Sequence, residues 1–216
     1  MMNRIEMKQD AREALRKNRM FAILGLILPG VVVSAIVAII TGLIVAVDSP
    51  ALAILNVIVI VLAIPITVGV SYFYRQLINN PNDVTFEDLL KGHKDNLVGN
   101  IGNLVLMQLF IMLWTFLLVI PGIIKTFSYI LTPYILGDDD IKKGADAVDP
   151  ITLSRIMMDG YKLKYFIMVL SFLGWLLLGA LTINILTILF VAPYMQLTFA
   201  KFYEERKKDL DPKYLK

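Results

Sequence analysis

Cysteine is absent from this 216-residue sequence, and histidine occurs only once, as His93. Without cysteine the chain can form no disulfide bond, no thiolate metal site and no thiol nucleophile. A single histidine also excludes a metal centre built from several imidazole ligands. The sequence has no HExxH motif, no phosphate-binding glycine loop and no nucleophile elbow. We therefore expect a protein that is not an enzyme and that binds no cofactor.

Charged residues are scarce as well, at 18% of the chain, while hydrophobic residues reach 57%. Soluble domains have about 25% charged residues, so this composition is typical of a membrane protein. Four segments contain no charged residue at all, and they cover residues 20–47, 49–74, 96–124 and 165–200. Each exceeds the ~18 apolar residues that indicate a membrane-spanning helix. The sequence therefore predicts one integral membrane domain covering residues 1–216.

Polar breaks inside the uncharged segments determine the number of spans. Segment 165–200 is too long to cross once at ~1.5 Å per residue, so we predict a turn at 182–184. The Ile-Pro-Gly sequence at 120–122 predicts another turn. The fold class is thus all-α, with six transmembrane helices arranged as three hairpins, each preceded by an interfacial amphipathic helix. The predicted elements are a cytoplasmic amphipathic helix at 1–19, spans at about 20–47, 51–74, 97–119, 123–136, 165–181 and 184–203, and a cytoplasmic tail at 204–216.

Similar polar segments precede the three hairpins: EALRKNRMF, DLLKGHKDNL and IMMDGYKLKYF. Each runs from apolar residues through a short charged stretch into an uncharged segment, which indicates a threefold repeat of one interfacial helix and two spans. Independent convergence on the same membrane-entry chemistry is the alternative interpretation.

The distribution of basic residues predicts the orientation. With both termini in the cytoplasm, every lysine and arginine except Lys125 lies on the cytoplasmic side, as the positive-inside rule requires. Lys125 is then expected near the outer interface, where its long side chain can extend to water or to lipid phosphate. A cation in the first turn of a helix opposes the helix dipole, so an ion pair with Asp48 is the alternative.

Four basic residues recur at intervals of four in the first segment: Arg4, Lys8, Arg12 and Arg16. This spacing places them on one ridge of a helix. Such a ridge can contact anionic lipid head groups at the cytoplasmic face, at ~1 kcal/mol per residue. It can also serve only to fix the orientation of the chain.

Small residues repeat at the same interval in the first predicted span: Gly30, Ser34, Ala38, Gly42 and Ala46. A stripe of this kind allows close approach of two helix backbones in lipid. We expect the stripe to pack against a helix of the same chain or, alternatively, against a second copy.

The polar loops carry signals of local structure. Thr85 and Asp88 have the spacing of a capping box at a helix start. The loop GDDDIKKGADAVDP is rich in aspartate, which is compatible with weak Mg²⁺ or Ca²⁺ binding, but it lacks the EF-hand spacing. We interpret it as a solvated loop whose aspartates cap helices.

Polar side chains within the predicted spans are few. Four of them are candidates for a cavity between the hairpins: Asn56, Gln108, Asn184 and Gln196. Gln108 and Gln196 can instead form hydrogen bonds between helices. The predicted spans contain no carboxylate, which argues against transport driven by protons or cations.

Three stretches resemble a bacterial membrane family catalogued as domain of unknown function 975. They are RIEMKQDAREALRKN at the start, IPGIIKTFSYILTPYIL in the middle, and LSRIMMDGYKLKYFIMVLSFLGWLLLGALT with APYMQLTFAKFYEE near the end. The resemblance covers nearly the whole chain. It implies a multi-pass protein of the bacterial plasma membrane, and it brings no catalytic residues with it.

Together these features predict a non-enzymatic protein that interacts with anionic lipids or with a membrane partner, as a scaffold, accessory or immunity-type factor. The alternative is a transporter or lipid-handling protein. We expect no nucleic-acid partner, and the sequence leaves the oligomeric state open.

Overall fold

The computed structural model describes residues 4–47, 49–143, 147–182 and 184–216. Within these ranges there is no β-strand, only an isolated antiparallel bridge between Ile141 and Leu215, and the predicted all-α class is confirmed. The α-helices are α1 (Arg4–Lys17), α2 (Arg19–Val47), α3 (Pro50–Ala63), α4 (Ile66–Asn79), α5 (Lys91–Lys94), α6 (Leu97–Leu117), α7 (Val119–Tyr129), α8 (Thr132–Gly137), α9 (Pro150–Met157), α10 (Lys162–Leu170), α11 (Leu173–Leu181) and α12 (Ala192–Lys208). Phe86–Leu90 and Pro212–Tyr214 are 3₁₀ segments, and Thr187–Val191 is a π segment.

Five helical stretches in the described ranges are long and apolar enough to cross a bilayer. They are Arg19–Val47, Pro50–Asn79, Leu97–Leu117, Val119–Gly137 and Lys162–Leu181. In the most apolar window of four of them only 11–22% of the residues are buried, whereas 44% are buried in Val119–Gly137. Helix α3 has no buried residue at all. Such apolar, exposed helices are those that lipid can surround.

The reversal after α6 comes earlier than predicted. The break is at Leu118, whose extended backbone separates α6 from α7, and not at residues 120–122. Pro121 lies in the first turn of α7, where the missing N–H has no intrahelical partner to lose. Gly122 packs directly against Thr115 of α6, so a larger residue would collide with that helix. The fourth predicted span therefore begins at Val119 rather than at 123.

The segment after α4 folds back onto the break between α3 and α4 at Pro65. A Cβ atom at Gly69 would overlap the carbonyl oxygen of Leu89, and one at Gly92 would overlap that of Pro65. His93 Nε2 lies 2.8 Å from the carbonyl oxygen of Leu62, in the last turn of α3. The predicted capping box at the start of this segment is present. His93 thus gives the carbonyl oxygen of Leu62 a hydrogen-bond partner near the proline break. Backbone groups of membrane helices need such partners, because lipid offers none.

A second pair of breaks occurs in the last third of the chain. Ser171 and Phe172 separate α10 from α11, and Asn184 adopts a left-handed backbone with φ of 61°. Asparagine tolerates this conformation better than most residues, which suits it to a turn. Gly179 packs against Thr187 on the other side of that turn.

The hydrophobic core lies toward one end of the bundle. Its largest fully buried side chains include Tyr74, Tyr203, Phe73 and Phe172. Met7 and Ala11 of α1 belong to the same cluster, so α1 packs on the helices and does not only lie beside them. The Tyr74 hydroxyl donates a 2.6 Å hydrogen bond to the carbonyl oxygen of Ala22. We call this end, where α1, α8, α9 and the last turns of α4 and α12 meet, the polar end of the bundle.

Candidate functional site at the polar end of the bundle

A buried ion network joins three helices at the polar end. Arg75 in α4 is 7% exposed, and Asp138, directly after α8, is 1% exposed. The Arg75 guanidinium donates to Glu204 of α12 at 2.6 Å and contacts the Asp138 carboxylate at 3.1 Å. Buried charges are stable only when paired in this way, so the network fixes the relative positions of the three helices.

Asp138 accepts further hydrogen bonds in this network. The Tyr203 hydroxyl donates to it at 2.7 Å, the Lys207 ammonium lies 2.8 Å away, and the Asp140 N–H donates at 3.0 Å. Burial on its own would raise the pKa of Asp138, but the charge of Arg75 and these hydrogen bonds outweigh burial and hold the pKa below its ordinary value. The carboxylate is therefore ionised at neutral pH.

This arrangement corrects one expectation and limits the chemistry of the site. Asp138 is not part of a solvated loop, because its side chain folds back into the bundle, whereas Asp149 does cap α9 through the Thr152 N–H. Since donors surround the Asp138 carboxylate, it has little capacity left to accept a proton or a ligand. Among the described residues no group of three or more histidine, aspartate or glutamate side chains is placed to hold a metal ion.

The predicted basic ridge of α1 divides into two pairs. Lys8 donates to the Ser171 hydroxyl at 2.5 Å and lies 4.0 Å from the Phe172 ring centroid. Arg12 lies over the Tyr194 ring. Arg4 and Arg16 remain exposed. Burial, followed by repulsion from Arg4 and Arg12, lowers the pKa of Lys8. Half of the ridge therefore contacts the protein itself, and half is available to lipid.

The small-residue stripe of α2 lies on an exposed surface. All five of its residues are exposed: Gly30, Ser34, Ala38, Gly42 and Ala46. Cβ atoms at Gly30 and Gly42 would meet nothing within 4 Å. The expected close packing against a helix of the same chain is therefore not present, because α2 contacts its neighbours through other faces.

Lys125 does not lie apart from the other basic residues. Its ammonium is 4.5 Å from the Trp114 ring centroid, and it lines a pocket together with Arg155 and Lys162. The predicted topology placed these two residues on the opposite side of the membrane from Lys125. The difference arises because α9 packs back along α7. The alternative partner, Asp48, lies outside the described residues.

The four candidate cavity residues occupy different places. Asn56 donates to Thr41 at 3.1 Å, within the α2–α3 pair. Gln108 lines a pocket of about 380 Å³, and the other three candidates are not among the lining residues of that pocket. Asn184 forms the turn before the π segment, and Gln196 is half-buried in α12. The structure does not bring the four residues together in the pocket at Gln108.

Sequence reasoning missed the residues of the buried network. Arg75 was interpreted only as a marker of orientation, although it follows three aromatic residues at 72–74. Tyr203 and Lys207 are four positions apart, so they share one face of α12. Two signals were available in the sequence: an arginine at the end of an apolar helix, and acidic residues near the end of another span. Neither signal shows which residues pair.

Comparison with known proteins identifies the family of this chain. No curated protein and no solved structure matches the chain. One family model, described as "Protein of unknown function (DUF975)", matches residues 1–128 and 115–209. These two matches together cover almost the entire chain, including α1, the buried network and the pocket at Lys125. The chain therefore belongs to the DUF975 family, as its three characteristic stretches indicated.

Proposed function

We propose that this protein crosses the bacterial plasma membrane six times, with both termini in the cytoplasm, and acts by binding rather than by catalysis. Five stretches are of membrane-spanning type. The sixth crossing consists of the π segment and the first part of α12. In this topology the polar end is the cytoplasmic end, and α9 and the start of α10 reach from that end to Lys125, which lies inside the fourth span. Its ligands are anionic lipid head groups, and a membrane protein partner can dock on the same surface.

The observation that carries this proposal is the excess of unpaired cations at the polar end. Most carboxylates in the described ranges form ion pairs within the chain: Asp10, Glu13, Glu87, Asp95, Asp138, Asp139, Asp140, Glu204, Glu205, Asp209 and Asp211. Exposed cations such as Arg4, Arg16 and Arg155 have no such partner within the described ranges. A surface of this kind attracts anionic lipid, each basic residue contributing ~1 kcal/mol.

A non-enzymatic role is consistent with the chemistry of the buried groups. The most buried carboxylate, Asp138, is surrounded by donors and fixed in its ionised form. A general acid or base needs a pKa near the working pH, and this residue is shifted in the opposite direction. The network therefore supports a structural role that keeps the cytoplasmic surface rigid.

Cysteine labelling tests the topology, since the natural chain has no cysteine to interfere. Ser49→Cys should react with a membrane-impermeant maleimide in intact cells. Lys142→Cys should react only after the cells are permeabilised. Labelling of Lys142→Cys in intact cells would contradict the six-span arrangement.

Lipid analysis tests the binding role. Lipids that co-purify with the protein in mild detergent should be enriched in anionic species relative to the membrane extract, as measured by mass spectrometry. The double variant Arg4→Gln/Arg16→Gln should reduce this enrichment. An unchanged composition relative to the extract would reject the proposed role in lipid binding.

Lipid handling is the second candidate function. It is favoured by the 380 Å³ pocket at Gln108, whose other lining residues are mostly apolar side chains of α6. Transfer of a fluorescent lipid between leaflets of proteoliposomes tests it. A protein-dependent transfer rate that Gln108→Leu lowers would support lipid handling, and a rate equal to that of empty liposomes would reject it.

A further inference from the structure

Three cationic side chains converge in a pocket of about 360 Å³ between α7, α9 and the start of α10. Its lining residues are Lys125, Ser128, Thr152, Arg155, Asp159 and Lys162, together with Ile156. We call it the basic pocket. Asp159 is the only carboxylate of the lining, so positive charge is in excess.

The walls of the basic pocket are fixed by buried contacts. The Ser154 hydroxyl of α9 donates to the carbonyl oxygen of Ser128 in α7 at 2.9 Å, and the N–H of Leu131 donates back to that hydroxyl at 3.2 Å. The Phe127 ring packs against Tyr165 and Phe166 of α10, with centroids 5.9 and 5.8 Å apart. The positions of the cations are therefore set by the fold, as a preformed site requires.

In the part of the chain that the structure describes, Lys125, Arg155 and Lys162 form no ion pair. The Lys125 ammonium lies against the Trp114 ring. Arg155 and Lys162 are close enough to Lys125 to repel it. Gathering like charges beside apolar helices costs free energy unless an anion offsets it. The basic pocket is therefore incomplete without a negatively charged ligand.

The surroundings indicate the chemistry of that ligand. Arginine, lysine and a threonine hydroxyl are the groups that bind phosphoryl oxygens. The candidate span Lys162–Leu181 begins at the pocket, and Lys125 lies within the candidate span Val119–Gly137, so the pocket lies against two apolar helices. Exposed apolar side chains flank it, with Ile124 46% exposed and Ile156 43% exposed. An acyl chain can lie along this surface while its head group occupies the pocket.

We propose that the basic pocket binds a phosphoryl group, supplied by the phosphodiester of an anionic lipid head group. This inference deepens the proposed function and rests on it, because it gives lipid binding one defined site. Arg155 and Lys162 contact the phosphoryl oxygens from the α9 and α10 side, and Lys125 contacts them from α7. Asp159 opposes binding through its negative charge.

Trp114 provides a local reporter, because Lys125 lies over its ring. The Trp175→Phe protein retains Trp114 as its only tryptophan, and Trp175 is 48% exposed, so this change leaves the core intact. The protein in nonionic detergent is titrated with dihexanoyl phosphatidylglycerol, with dihexanoyl phosphatidylcholine and with inorganic phosphate. Trp114 emission should change saturably with phosphatidylglycerol and respond less to phosphatidylcholine, whose head group carries no net charge.

Further substitutions in the Trp175→Phe protein should change its affinity for phosphatidylglycerol in defined directions. Arg155→Gln and Lys162→Gln should each weaken phosphatidylglycerol binding about fivefold. Asp159→Asn should strengthen it by a similar factor, and a variant that gains affinity is necessarily folded. Lys94→Gln removes the same charge from an exposed residue of α5 that pairs with Glu87, and it should leave the affinity unchanged.

The outcomes separate the possibilities. Saturation by inorganic phosphate at the same concentration as phosphatidylglycerol would support the phosphoryl site and overturn the lipid as its source. An equal effect of Arg155→Gln and Lys94→Gln would overturn the pocket but leave the proposed surface binding intact. Absence of any saturable change would overturn the pocket, whereas the lipid enrichment experiment tests the proposed function separately.

Discussion

Replacing Asp138 by asparagine tests the buried network, since it removes one charge and keeps the shape of the side chain. The asparagine oxygen can still accept two of the hydrogen bonds, but its NH₂ group would face donors such as the Arg75 guanidinium and the Lys207 ammonium. Two lost charge-assisted bonds at about 1.5 kcal/mol each give a loss of about 3 kcal/mol. This agrees with the lower end of the range for breaking a buried pair, as expected because Arg75 keeps Glu204.

The measurement is the free energy of unfolding of the detergent-solubilised protein, followed by tryptophan fluorescence and circular dichroism during titration with denaturant. Asp139→Asn is the matched control, because the neighbouring carboxylate pairs with Lys91 but its side chain is 52% exposed. Exposed pairs contribute less than about 1 kcal/mol. Equal losses for the two variants, or a loss below about 1 kcal/mol for Asp138→Asn, would refute the reasoning.

The pH dependence of the same variant has a defined sign. The pKa of Asp138 is lower in the folded protein than its ordinary value of 3.8. The carboxylate therefore contributes its full stabilisation above the unfolded pKa, and this contribution is lost as the pH falls through the folded pKa. The difference in stability between the natural protein and Asp138→Asn should accordingly shrink as the pH falls below 3.8 and vanish only below the folded pKa. A difference that stays constant into that range would show that the charge is not responsible.

Two further substitutions test how the segment after α4 is attached. Gly69→Ala should lower the free energy of unfolding by about 2 kcal/mol, because the added Cβ would displace the backbone of Leu89. Gly102→Ala is the control, since an added Cβ there would meet nothing within 4 Å. It should be neutral or stabilise the protein by up to about 1 kcal/mol. Equal effects of the two changes would contradict this packing. His93→Phe should cost about 1–2 kcal/mol by leaving the carbonyl of Leu62 without its donor, and His93→Gln, which retains a donor, should cost less in the same assay.

Local features of this fold were predictable from the sequence. The helix that begins at Pro50 follows from proline in a first turn after Ser49, although the Ser49 side chain makes no capping bond. The capping box at Thr85 and the cap at Asp149 follow from spacing alone. Each of these signals involves residues only a few positions apart, so neighbouring sequence contains all the information they need.

Contacts between distant segments were not predictable in the same way. Arg75 and Glu204 are separated by 129 positions, and Lys8 and Ser171 by 163. A count of charges assigns these residues to one side of the membrane but does not show which of them meet. The prediction that Lys125 lies far from Arg155 and Lys162 was wrong for the same reason, since nothing in the sequence shows that α9 packs along α7.

The lack of buried side chains in α3 has a consequence for how this family evolves. A helix that contacts mostly lipid needs only sufficient length and apolarity, so exchange among leucine, isoleucine and valine there should be almost free of selection. Positions 73–77 and 203–207, which surround the buried network, have no such freedom. Among homologues, α3 should therefore diverge fastest, and the two segments that carry Arg75 and Glu204 should diverge slowest.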